Sequence, residues 1–127
     1  MPRTDPAPAE TAKRDVELAF EWDDQAVGVV GFAEAGWRAA ELAGQRPDLV
    51  ERLVLISTPP VAADDAPSGV EAKILLLYGS LDGGQRQATW WKTTIGGRIE
   101  MVPREGRDIL QRVWARALAH VAPRTTR

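Results

Sequence analysis

With 127 residues, the chain can build one domain with its own core and is too short for two. A net charge of −2, with 44% hydrophobic and 27% charged residues, is ordinary for a globular protein and gives no basis for strong attraction to nucleic acid or an acidic membrane. No cysteine and a single histidine exclude disulfides, thiol chemistry and the usual zinc sets, so no metal and no cofactor is expected.

The first fourteen residues are rich in Pro, Ala and charge and lack the apolar core of a signal peptide. They read as a disordered leader, 1–14, ahead of a single domain over 15–123 and a tail at 124–127. Residues 26–33 form the longest apolar run, far short of a membrane span. The default residence is the cytoplasm.

Residues 15–23 alternate strictly, with Val16, Leu18, Phe20 and Trp22 on one face and acids on most of the other. Helical geometry would scatter those apolar residues, so the pattern predicts a strand, wet on one side. The short polar link that follows suits an antiparallel partner, which predicts a hairpin between 15–22 and 26–31. Val27 to Phe32 is apolar on both faces, as a central strand is. A helix is predicted over 34–43, with Gly44 as a left-handed C-terminal cap and Pro47 preventing its return. The run RLVLI at 52–56 is the next buried strand, completing a βαβ unit.

Residues 57–72 read as loop with room for one helical turn. KILLLY at 73–78 is a third buried strand, ending at the turn 79–84. A helix follows over 85–93, then a strand over 98–102 and a turn over 103–106. The last helix, 107–121, turns Leu110, Val113, Trp114, Ala117, Leu118 and Val121 inward.

The stretch Gly31-Phe-Ala-Glu-Ala-Gly36 lies where a strand turns sharply into a helix. It is close to two site-building patterns, the nucleophile elbow G-x-S-x-G and the dinucleotide turn G-x-G-x-x-G, and completes neither. A dinucleotide site would want an acid ending the next strand, which instead ends Ile56-Ser57-Thr58. From about residue 26 to 123 the chain resembles the C-terminal half of an α/β-hydrolase. The resemblance rests on the elbow, on Arg46-Pro-Asp-Leu-Val-Glu-Arg-Leu-Val-Leu-Ile56, on Lys73-Ile-Leu-Leu-Leu-Tyr-Gly-Ser-Leu-Asp82, and on Pro103-Arg-Glu-Gly-Arg-Asp108, in that order. It implies that Ala33, Asp82 and Arg107 occupy the nucleophile, acid and histidine positions of the triad. It also implies that the lid has shrunk to residues 57–72.

Only the acid is of the required type. Alanine has no nucleophilic atom, and arginine does not release its proton at ordinary pH. Asp82 and Arg107 are therefore expected to pair as ions. Ser57 and Ser80 are rim hydroxyls that serve either loop capping or an atypical hydrolase. Phe32, Glu34, Ser57 and Ser80 are the candidate binding residues at the rim. His120, far along the last helix, reads as favourable to the helix C-terminus rather than catalytic. The arginines at 112, 116 and 124 read as a solvated face rather than a nucleic-acid surface.

The fold class is α/β, a truncated, mostly parallel hydrolase-like sheet of about five strands with helices on both faces. The functional reading is a degenerate domain without hydrolase activity that serves interaction or assembly. The alternatives are an esterase-like enzyme with atypical residues and a small-ligand or nucleotide module at the rim. A twofold homodimer or another protein is the expected partner, with Trp22, Trp90 or Trp91 as anchors.

Overall fold

Strand β2, Ala26–Phe32, is the axis on which both faces of the sheet are built. It lies in a computed structural model that describes residues 18–22 and 26–122. The expectations placed on 1–14, on 124–127, on residues 15–17 and on the side chain of Trp22 fall outside the described residues.

The sheet has five strands in sequential order: β1 (Leu18–Trp22), β2, β3 (Val50–Ile56), β4 (Lys73–Gly79) and β5 (Arg98–Val102). Strand β1 runs antiparallel to β2, and β2 to β5 are mutually parallel. Helix α1 (Ala35–Gln45) connects β2 to β3, α2 (Gly84–Ile95) connects β4 to β5, and α3 (Leu110–Val121) follows β5. The link between β3 and β4 holds one short 3-10 turn, Ala63–Asp65.

Alternation along each parallel strand sends side chains to two separate cores. On one face Val27, Val29, Leu53, Leu55, Leu76 and Tyr78 pack with Ala39, Ala40 and Ala43 of α1 and with Trp91 of α2. On the other, Val30, Val54, Ile56, Leu75 and Leu77 meet Ile109 and the Val113, Ala117 and Val121 stripe of α3. Burial of each large aliphatic side chain contributes about 1.5–3 kcal/mol, which is why the continuous apolar runs become central strands. Gly28 lets α3 lie directly on β2, since an added Cβ would stand 2.7 Å from Cβ of Val121. At the β5 edge, Arg116 of α3 grips Glu100 through two hydrogen bonds of 3.0 and 2.7 Å. That grip, with a lesser contribution from Arg98, holds the Glu100 carboxyl below its usual range.

Several boundaries differ from expectation. Helix α1 runs past Gly44 to Gln45, so Gly44 is not its cap; Arg46 is. A Cβ on Gly44 would stand 2.6 Å from the Ser68 carbonyl oxygen, so the glycine admits the 57–72 loop against the helix. Helix α3 begins at Leu110 rather than 107, because Arg104 and Glu105 are hydrogen-bonded to Ser80 and Leu81 just past β4 and Ser57 holds the Arg107 carbonyl. Of the adjacent tryptophans, Trp91 is fully buried and Trp90 half-buried, meeting edge to face at 4.9 Å. Trp91 is thus a core residue and unfit as an interface anchor. No described helix is long and apolar enough to cross a membrane.

Candidate functional site

Three parallel strands end in strained backbone. Ala33 follows β2 with φ of 54°, Ser57 follows β3 with φ of 55°, and Asp82 lies three residues beyond β4 with φ of 58°. Left-handed backbone is uncommon for residues other than glycine and concentrates where a fold forces sharp turns or builds a site. At Ala33 the cause is local. Its N–H donates to the Ile56 carbonyl at 2.8 Å, and its own carbonyl accepts from Gly36 N–H at 2.9 Å. The chain must reverse from strand to helix within two residues. Gly31 and Gly36 make that approach feasible: a Cβ on Gly31 would stand 2.5 Å from Cα of Gly36, and one on Gly36 would collide with the Thr58 side chain. Packing alone accounts for both glycines of the elbow.

The positions that the resemblance assigns to a triad gather at these strand ends, though not as an ion pair of Asp82 with Arg107. The Arg107 guanidinium lies 3.6 Å from the Glu34 carboxylate, with the two side chains 60% and 43% exposed. Glu34 begins the turn into α1 next to Ala33 and is the acid within reach; so exposed a pair is worth only ~0–1 kcal/mol. Asp82 points at Gly106, where a Cβ would strike its carboxylate. Asp82, Arg107, Ser57, Tyr78 and Gln87 border a hollow of about 10 Å³, room for one water at most.

Both candidate hydroxyls are engaged. Ser57 is buried and donates its O–H to the Arg107 carbonyl at 2.7 Å. Ser80 Oγ accepts from the Arg104 N–H at 2.9 Å, pinning the 103–106 turn where Arg104 itself has φ of 64°. Phe32 is half-buried under α3. His120 lies at the opposite end of the strands, its Nε2 3.0 Å from the carbonyl of Lys73, the first residue of β4. Burial pushes its imidazole below the ordinary histidine pKa; the Lys73 hydrogen bond opposes this, and Arg52, Arg116 and Arg98 add to it. No group of histidine and acid side chains suited to a metal occurs among the described residues.

Sequence reasoning passed over Thr58, beside the elbow. Its carbonyl accepts from Tyr78 O–H at 2.5 Å and from Trp91 Nε1–H at 2.9 Å. Burial drives the Tyr78 phenol pKa far upward, so it stays a donor. Thr58 Oγ1 is buried with no partner among the described residues. Trp37 was also missed. It is 39% exposed on α1 and, with Glu41, Asp64, Asp65 and the 60–68 stretch, lines a groove of about 670 Å³. The available signal was the spacing: Trp37 and Glu41 stand i, i+4 on the α1 face opposite Ala39 and Ala43.

The architecture matches that of the dienelactone hydrolase from Anabaena variabilis ATCC 29413, with a TM-score of 0.61 and 21% identity over 74% of this chain and 49% of the other. The chain has the α/β-hydrolase fold. A CIB-like hydrolase from Thermoplasma acidophilum gives a TM-score of 0.55 and 20% identity over 69% of this chain and 47% of that one. The hydrolase-fold chain thus spans about half the length of either neighbour. No family model matches it, and no curated protein does.

Proposed function

We propose that this α/β-hydrolase-fold domain has no hydrolase turnover and works in interaction or assembly. The observation that carries the reading is Ala33 at the elbow. The backbone there keeps the strained conformation that would present a nucleophile, and the side chain is a methyl group. Acyl transfer on the family pattern needs a nucleophile, a base that takes its proton and an acid that orients the base. Here the base position holds an arginine engaged with Glu34. Hydrogen bonding of the Ser57 and Ser80 hydroxyls to the 104–107 backbone weighs against an atypical enzyme built on Asp82. The 10 Å³ hollow weighs against a small-ligand or nucleotide module at that rim.

Assembly as a twofold homodimer or with another protein follows from the same reading, and the lack of cysteine suits a cytoplasmic setting. A panel of activated esters, thioesters and lactones tests the first part, with no turnover above buffer expected. Activity that disappears in Asp82→Asn while the circular dichroism spectrum is unchanged would overturn it. Sedimentation equilibrium tests the dimer: one monomeric mass at every concentration removes it.

A further inference from the structure

One wall of the 670 Å³ groove is a single stripe of α1. Trp37, Glu41, Gly44 and Gln45 follow at i, i+4, i+7 and i+8, so they stand in one row. The facing wall is the 60–68 stretch, where prolines and Val61 give apolar surface and Asp64 and Asp65 give charge. The groove is one-sided in charge. Among the described residues, Glu41, Asp64 and Asp65 are exposed and form no ion pair, and no lysine or arginine lines the groove. Trp37 is held in place by its Nε1–H, which donates to the Pro59 carbonyl at 2.8 Å. Its polar handle is therefore used within the fold, and what remains for a partner is the ring. A fixed, partly exposed aromatic flanked by carboxylates that no described residue pairs complements a cation with an apolar stem.

We propose that this groove docks an extended basic segment of a partner protein, with an arginine laid against Trp37 and within reach of the three carboxylates. Arginine suits the site better than lysine because its planar guanidinium both stacks on an indole and pairs with carboxylate. An open groove of this volume accommodates a side chain with its flanking backbone. This inference deepens the interaction reading and names the chemistry of the partner.

The test uses the full chain and a short, acetylated and amidated Gly/Ser peptide carrying two separated arginines, titrated while backbone amide resonances are followed. The expected result is shifts confined to residues 37–45 and 60–68, weakening as salt rises from about 0.05 to 0.5 M. The double variant Asp64→Asn, Asp65→Asn and the single variant Trp37→Ala should each weaken binding about tenfold or more. The loop variant alters only exposed side chains, so it keeps the test decisive should Trp37→Ala fold poorly. Lysine in place of arginine should bind more weakly, and aspartate should not bind. Absence of shifts in those two stretches, or affinity unchanged in the loop variant, overturns the proposal. So does arginine amide binding as tightly as the peptide, since that marks a small-cation site. Turnover in the ester panel would defeat the non-catalytic reading and leave these shifts standing. A silent titration would defeat the docking site and leave the ester result untouched.

Discussion

Gly36→Ala tests whether the elbow glycines serve packing or a ligand. The added Cβ would meet three atoms of Thr58, its Oγ1, its Cγ2 at 2.8 Å and its Cβ at 2.9 Å. Thr58 has little freedom to retreat, being fully buried, with its carbonyl held by both Tyr78 and Trp91. Alanine gains at most ~1 kcal/mol over glycine in a helix, and less in a first turn. Overpacking of a closed site costs typically ~1–3 kcal/mol, occasionally more. The expected net effect is a loss of about 1–3 kcal/mol, read by urea denaturation with linear extrapolation. Thr58→Ala removes two of the three clashing atoms, and the hydroxyl it deletes has no partner to lose among the described residues. The double variant should therefore be more stable than the sum of the single changes by ~1 kcal/mol or more. A neutral or stabilising Gly36→Ala, or strict additivity, would refute the packing account.

Ala33→Ser should leave the ester panel silent, because the base position holds Arg107, paired with Glu34, and His120 lies at the opposite strand ends; turnover in this variant, measured by product release, would contradict that. Tyr78→Phe should cost about 0.5–1.5 kcal/mol in urea titration, at the low end because the Thr58 carbonyl keeps its bond from Trp91. His120 has a depressed folded-state pKa, so the native state binds fewer protons than the unfolded chain. Its stabilising contribution is complete above the unfolded value of about 6.5 and is lost as pH falls below it; thermal midpoints of wild type and His120→Gln between about pH 7 and pH 5 should diverge accordingly. Arg116→Met should cost no more than ~1 kcal/mol near neutrality, since the Glu100 pair is over one-third exposed, and the difference from wild type should shrink in acid as Glu100 protonates.

The strands were the legible part of the sequence. VGVVGF, RLVLI and KILLLY are apolar on both faces, and burial on both sides of a sheet leaves them few other fates. What the sequence could not reveal was set by approach distances between distant segments. Gly44 looked like a cap by position, yet its missing side chain is used against a loop more than twenty residues on. Arg107 looked bound for Asp82 because the resemblance set them together, but Glu34, at the turn into α1, lies within ion-pair distance. The left-handed backbone at Ser57 was hidden because nothing in serine demands it. The start of α3 was misplaced for a similar reason. Periodicity extends back to 107, while the backbone there is already held by Ser57.

The contact of Val121 with Gly28 joins the last described helix to the first of the parallel strands, two segments far apart in sequence. Strands β2 to β5 pair with their immediate predecessors, so each can dock as it emerges from the ribosome. Among the described residues, the face bearing Val30, Val54, Ile56, Leu75 and Leu77 has no such sequence neighbour to cover it. Among the described residues Ile109 and α3, which lies across β2, β3 and β4, cover this face, so it stays open until they have left the exit tunnel. A nascent chain halted before α3 would thus carry one finished core and one bare apolar face, the surface that a chaperone holds or that aggregates.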